Sequence, residues 1–77
     1  MPRYFFDTRD DALFIEDDEG VDLPDLEAAK AMAAVSLAEL AHDVLPGSVR
    51  RELTVEVRER LRVVIKAMLH FEEEVLG

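Results

Sequence analysis

Seventy-seven residues allow one domain, and a chain this short buries only about 60% of its unfolded surface. Hydrophobic residues make up 49% and charged residues 35%, a globular balance, with 9 Lys and Arg against 18 Asp and Glu for a net charge of −9. That acidity argues against nucleic-acid binding and against a helix held to anionic lipid, and the lack of cysteine removes disulfides, thiolate nucleophiles and Cys-based zinc sites.

Arg3 to Thr8 is short, aromatic and alternating, and predicts a strand; Ala12 to Glu16 predicts another. Arg9, Asp10 and Asp11 form a polar connection between them, so the two make a hairpin. Asp17-Asp18-Glu19-Gly20 is a second turn, and Val21 to Pro24 reads as a connector. Asp25 is the expected N-cap of a helix over residues 26–45, since its carboxylate can accept the free N–H groups of the first turn. Leu26, Ala29, Ala33, Leu37, Leu40 and Val44 form its core stripe, and Pro46-Gly47 ends it.

Glu52 to Arg58 alternates cleanly, with Leu53, Val55 and Val57 on one face. The last third fits two templates. Leu61, Val64, Ile65, Met68 and Leu69 match a helix; Val63, Ile65, Ala67, Leu69 and Phe71 match a strand. The β-branched run Val63-Val64-Ile65, and the need of the preceding strand for a neighbour, favour a strand over residues 62–71, with a helical turn at Glu72-Glu73-Glu74. The order is then ββαββ. It predicts an α+β two-layer sandwich, an antiparallel sheet with one long helix packed on one face.

Met1–Asp7 (M-P-R-Y-F-F-D), Ile15–Gly20 (I-E-D-D-E-G) and Leu23–Ala29 (L-P-D-L-E-A-A) resemble a family of small uncharacterised proteins common in rhizobia and related alphaproteobacteria. The resemblance covers about the first forty residues well and the C-terminal hairpin by pattern. It implies a ββαββ module with no assigned activity. The family often has Asp-Gly in the first turn, where this chain has Asp10-Asp11, and a glycine in the second hairpin, where it has Glu59-Arg60-Leu61. The two strands and the D-L-E-A-A helix start are similar, more loosely, to antitoxin domains of the HicB type.

The chemistry-bearing residues are few. Asp17, Asp18, Glu19, Asp22, Asp25 and Glu27 cluster within eleven residues, and oxygen ligands at such spacing suit Ca²⁺. Setting Gly20 at position six of an EF-hand loop, however, puts Ile15 at position one and Leu26 at position twelve, where carboxylates belong. His42 and His70 have no second His or Cys at ligand spacing, and the serines lack a nucleophile-elbow pattern. No partner is legible for Ser48, and the three glycines make no phosphate loop. The chain is therefore expected to have no catalytic, cofactor or metal site and to be no enzyme.

Arg50, Arg51, Arg58, Arg60, Arg62 and Lys66 alternate with Glu52, Glu56 and Glu59, which predicts cross-strand ion pairs on a solvated sheet face. Opposite the helix stripe lie Ala28, Ala31, Met32, Val35 and Ala38, a small apolar face where a solvated helix would carry charge. A second apolar patch of Phe5, Val64 and Met68 is expected on the outer sheet face. Either surface could join two copies or dock a protein partner.

Residues 1–28 hold 10 acidic and 2 basic residues, whereas residues 49–77 hold 6 of each. Asp17, Asp18, Glu19 and Asp22 are thus the candidate acidic surface for a basic partner, in the manner of an antitoxin, or for a weak Ca²⁺ site. No signal peptide or membrane span is legible, which predicts a soluble, cytoplasmic protein, bacterial on the resemblance.

Overall fold

A computed structural model describes residues 1–77. The elements run β1 (Arg3–Asp10), β2 (Leu13–Ile15), β3 (Val21–Asp22), α1 (Leu26–Val44), β4 (Arg50–Glu59) and β5 (Arg62–Glu72). All pairings are antiparallel, in the order β2-β1-β4-β5, and β3 shares the outer edge of β1 with β2. The result is an α+β sandwich in which α1 packs on one face of the sheet.

The segment after β1 is more ordered than its composition suggests. The expected connector Val21–Pro24 begins as a two-residue strand, with Arg3 opposite Asp22 and Tyr4 opposite Val21. β2 covers the same edge of β1 at Thr8–Asp10. Residues 5–7 of that edge are left without a strand partner, and the Asp17 side chain fills the gap by accepting the Phe6 N–H at 3.0 Å. The reversal into β2 is also shorter than expected: Arg9 and Asp10 belong to β1, so only Asp11 and Ala12 turn the chain.

The C-terminal third is a strand. β5 pairs with β4 from Glu59–Arg62 at the turn to Arg50–Glu72 at the far end, with a bulge beside Val57 and Arg58. Glu72 is strand, and Glu73–Gly77 form no helical turn. The bulge also redirects Val64, which packs against the core instead of joining Phe5 and Met68 on the outer face. Helix formation would have orphaned the outer ladder of β4, and β-branched side chains fit the pleat better than a helical turn.

Buried hydrophobic residues are Tyr4, Ala29, Ala33, Leu53, Val55 and Val57. The alternation of β4 thus buries its odd-numbered apolar positions. Within the helix stripe, Ala29 and Ala33 are buried because α1 lies close to the sheet there. Leu37, Leu40 and Val44 are half-buried, and Leu26, at the helix start, is exposed. Asp25 caps α1, its Oδ1 accepting the Ala28 N–H at 2.9 Å. At the other end Ser48, for which the sequence offered no partner, donates its hydroxyl to the Val44 carbonyl at 2.6 Å and accepts from Arg51 Nε. It ties the open carbonyl end of the helix to β4.

Two-residue turns join β1 to β2 and β4 to β5, and each places a non-glycine in the left-handed region, Asp11 at φ 52° and Arg60 at φ 60°. Asp11 has compensation, since its Oδ1 accepts the Glu52 N–H at 3.0 Å. The Arg60 side chain makes no hydrogen bond. Arg60→Gly is therefore expected to raise stability by about 0.5–1 kcal/mol in urea unfolding, because it removes steric strain. Asp11→Gly should lower it, because it removes a hydrogen bond along with the strain.

Candidate functional site

The sheet face turned away from α1 carries the molecule's main polar network. Asp7 is 3% exposed there. Its carboxylate accepts Arg58 Nε at 2.6 Å, Arg58 Nη2 at 3.2 Å and the Asp17 N–H at 2.9 Å. Arg58 also donates to the carbonyls of Asp17 and Arg60, and its guanidinium lies 4.8 Å from the Phe5 ring centroid. The β1–β4 register makes this possible by setting Phe5 opposite Arg58 and Asp7 opposite Glu56. Asp17 Oδ1 accepts the N–H groups of Glu19 and Gly20, closing the turn on itself. Gly20 is required at φ 75°, since a Cβ there would stand 2.9 Å from Arg3 Cγ and Phe5 Cε2.

The acidic cluster is thus divided by the fold. Asp17 is committed to Phe6, Glu19 and Gly20, and Asp22 to Arg3 at 3.0 Å. Asp18 and Glu19 keep exposed carboxylates without an ion pair. Asp25 caps the helix, and Glu27 lies 3.5 Å from Lys30. No group of three or more His, Asp or Glu side chains is placed to hold a metal ion. The oxygens of Asp17 are already occupied by backbone donors, so the turn converges on its own amides and not on a shared outside point.

The basic residues divide similarly. The expected cross-strand pairs of the second hairpin form only at its open end, where Arg50 meets Glu72 at 3.5 Å and His70 meets Glu52 at 2.6 Å. Arg58 and Arg51 instead reach back to Asp7 and Asp10 of β1, the latter at 2.9 Å. Lys66 stands opposite Glu56 without forming an ion pair. The meeting of an acidic half with an arginine-bearing half therefore takes place inside one chain. No local signal in the sequence marks these pairs, because they depend on β1 lying beside β4.

Burial of the Asp17 carboxylate works against its charge. The Phe6, Glu19 and Gly20 amides and the nearby Arg58 charge outweigh that cost and hold its pKa below the usual aspartate value. Hydrogen bonding from Arg3 lowers Asp22 in the same direction. Groups with lowered folded pKa values add stability above the unfolded value, about 3.9, and lose it as pH falls through the folded value. Urea midpoints followed from pH 6 to 2 should fall below about pH 4, and Asp17→Asn should flatten that fall. Hydrogen bonds to Glu52 and then Glu72 raise His70, which favours its charged form. Its contribution is present below the unfolded histidine value and fades as pH rises through the raised one; at an exposed site it is small.

The network has no free buried atom, since every buried side-chain nitrogen and oxygen has a partner. It locks the N-terminal hairpin to β4. The unpartnered surfaces lie elsewhere. On the helix, Ala28 and Met32 are half-buried while Ala31, Val35 and Ala38 are exposed, Val35 by 58%. Met68 on the outer face of β5 is 69% exposed. Ala38, Ala41, His42, Leu45, Pro46 and Phe71 line a shallow groove between the helix C-terminus and β5. No helix is long and apolar enough to cross a membrane.

No curated protein and no solved structure matches the chain. A family model matches residues 3–69, which takes in β1 to β4, the whole helix and all of β5 but its last three residues. On that match the chain belongs to the family described as Domain of unknown function (DUF6894).

Proposed function

We propose that this chain is a small non-enzymatic module that works by association, first of all with itself. The observation that supports this most is the one-sidedness of its core. The helix-facing side chains of β4, Leu53, Val55 and Val57, are buried, but those of the neighbouring β5, Ile65, Ala67, Leu69 and Phe71, are only half-buried. The apolar layer does not end at the last strand; it is left open along it. Exposed Val35 and Met68 add apolar surface on both layers.

Small domains commonly supplement a thin core by oligomerising. The one buried charge of this chain, Asp7, is satisfied within it, and the exposed apolar surface and the main-chain edge of β5 are the features that favour a second copy as partner. Sedimentation velocity over a micromolar concentration series is expected to show a reversible dimer. A single monomeric species at high micromolar concentration would overturn the reading.

A further inference from the structure

β5 is an eleven-residue edge strand whose outer side pairs with nothing. The direction of its main-chain groups follows from the ladder. Glu73 donates its N–H to the Val49 carbonyl, and the register from Arg50–Glu72 to Val57–Ile65 is unbroken. Alternate residues of a strand point their N–H and C=O the same way. The odd-numbered residues from Ile65 to Phe71 therefore face β4, and Lys66, Met68, His70 and Glu72 present theirs to the open edge.

We propose that this edge pairs with the same edge of a second copy, antiparallel about a two-fold axis through Leu69; the inference rests on the self-association reading above. In that register Lys66 lies opposite Glu72 of the second copy and Met68 opposite its His70. These are the edge-facing residues, so each opposed pair exchanges main-chain hydrogen bonds. On the helix side, Leu69 meets its own counterpart and Ala67 meets Phe71 of the second copy, so the half-buried row is covered. The axis is perpendicular to the sheet, which keeps both helices on one face and turns two four-strand paths into one continuous sheet.

Lysines and bulges on an edge strand ordinarily deter pairing. Here Glu72 lies as far after Leu69 as Lys66 lies before it, so the deterrent charge is answered twice in a symmetric dimer. Lys66 has no ion pair within its own chain. An axis at Ala67 would instead set Lys66 against Met68 and run the pairing into the bulge near Val64. The register centred on Leu69 satisfies charge, apolar cover and hydrogen bonding together.

The test is sedimentation and cross-linking of the full chain. Met68→Pro removes an N–H that faces the open edge and leaves the β4 ladder intact, and Lys66→Glu opposes like charges at both symmetric sites. Each is expected to weaken the dimer about tenfold or more, with an unchanged circular dichroism spectrum. Combining Lys66→Glu with Glu72→Lys should restore it, which decides the matter even if the proline variant fails to fold. The chain has no cysteine of its own, so Leu69→Cys should give a single disulfide-linked dimer on oxidation, because a pair without mutual hydrogen bonds brings its Cα atoms within disulfide range. A dimer that survives Lys66→Glu but is lost in Val35→Glu would overturn this inference and leave self-association standing. Failure of the charge swap to restore the dimer, or cross-linking through Ala67→Cys in place of Leu69→Cys, would overturn the register. A monomeric wild type would overturn both readings.

Discussion

Replacing Asp7 by Ala is expected to lower unfolding stability by about 3–5 kcal/mol, the usual cost of leaving a buried charge unpaired. Asp7 is 3% exposed, and the Arg58 side chain beside it is 19% exposed, so water replaces little of what is lost. The substitution leaves the Arg58 guanidinium with the more distant and exposed Glu16, 3.8 Å away, as its ionic partner and also removes the acceptor of the Asp17 N–H, which loosens the turn that closes the edge of β1. A chain of this size has total stability of only about 4–12 kcal/mol, so the loss is a large fraction of the whole and the thermal midpoint should fall markedly below that of the wild type. Denaturant titration checks the magnitude. Pairing Asp7→Ala with Arg58→Met should cost less than the sum of the two single changes, since an apolar pair leaves no uncompensated charge. Full additivity would show that the two side chains act independently.

Leu53→Ala is expected to cost about 2–4 kcal/mol in the same titration. Leu53 is 1% exposed, on the helix face of β4, opposite Asp10 in β1 and Leu69 in β5. It is held from both flanking strands, so the site cannot collapse to refill the space. Met68→Ala, the same kind of truncation on the outer face at an exposed position, should change monomer stability little. A Leu53→Ala cost no greater than that of Met68→Ala would mean that the core is looser than the burial of Leu53 implies.

Much of the fold is legible along the chain because its signals are local. Leu53, Val55 and Val57 alternate with polar residues, and period two on one strand needs no knowledge of its neighbours. Asp25 announces the helix start through its own carboxylate, and Pro46-Gly47 announces the stop. The two-residue strand Val21–Asp22 is not legible, since so short an element has no period and exists only because β1 lies alongside it. The helix's second face was partly legible: Ala31, Val35 and Ala38 are exposed apolar residues, while Ala28 and Met32 turn enough toward the sheet to be half-buried.

The acidic N-terminal region shows most clearly where local reading stops. Composition places six carboxylates together between Asp17 and Glu27 and suggests one surface. The fold gives them separate tasks: Asp17 replaces a missing strand along residues 5–7, Asp22 holds Arg3, and Asp25 caps the helix. Asp7 gives no local sign of its role, because an aspartate in an aromatic strand carries no signal of burial until Arg58 arrives from 51 residues away.

By itself the sequence left the last third between a helix and a strand, but it determined the first long strand, the helix with its start and stop, the buried face of β4 and the imbalance of charge. These follow from interactions within a few residues, where backbone geometry fixes which side chains share a face. Only the tertiary structure decided the strand order, the pairing of Asp7 with Arg58 and of Asp10 with Arg51, and the strand that β5 leaves unpaired. Those depend on which distant segments lie side by side. Register then sets the ion pairs, because a shift of one residue would turn every one of these side chains to the other face.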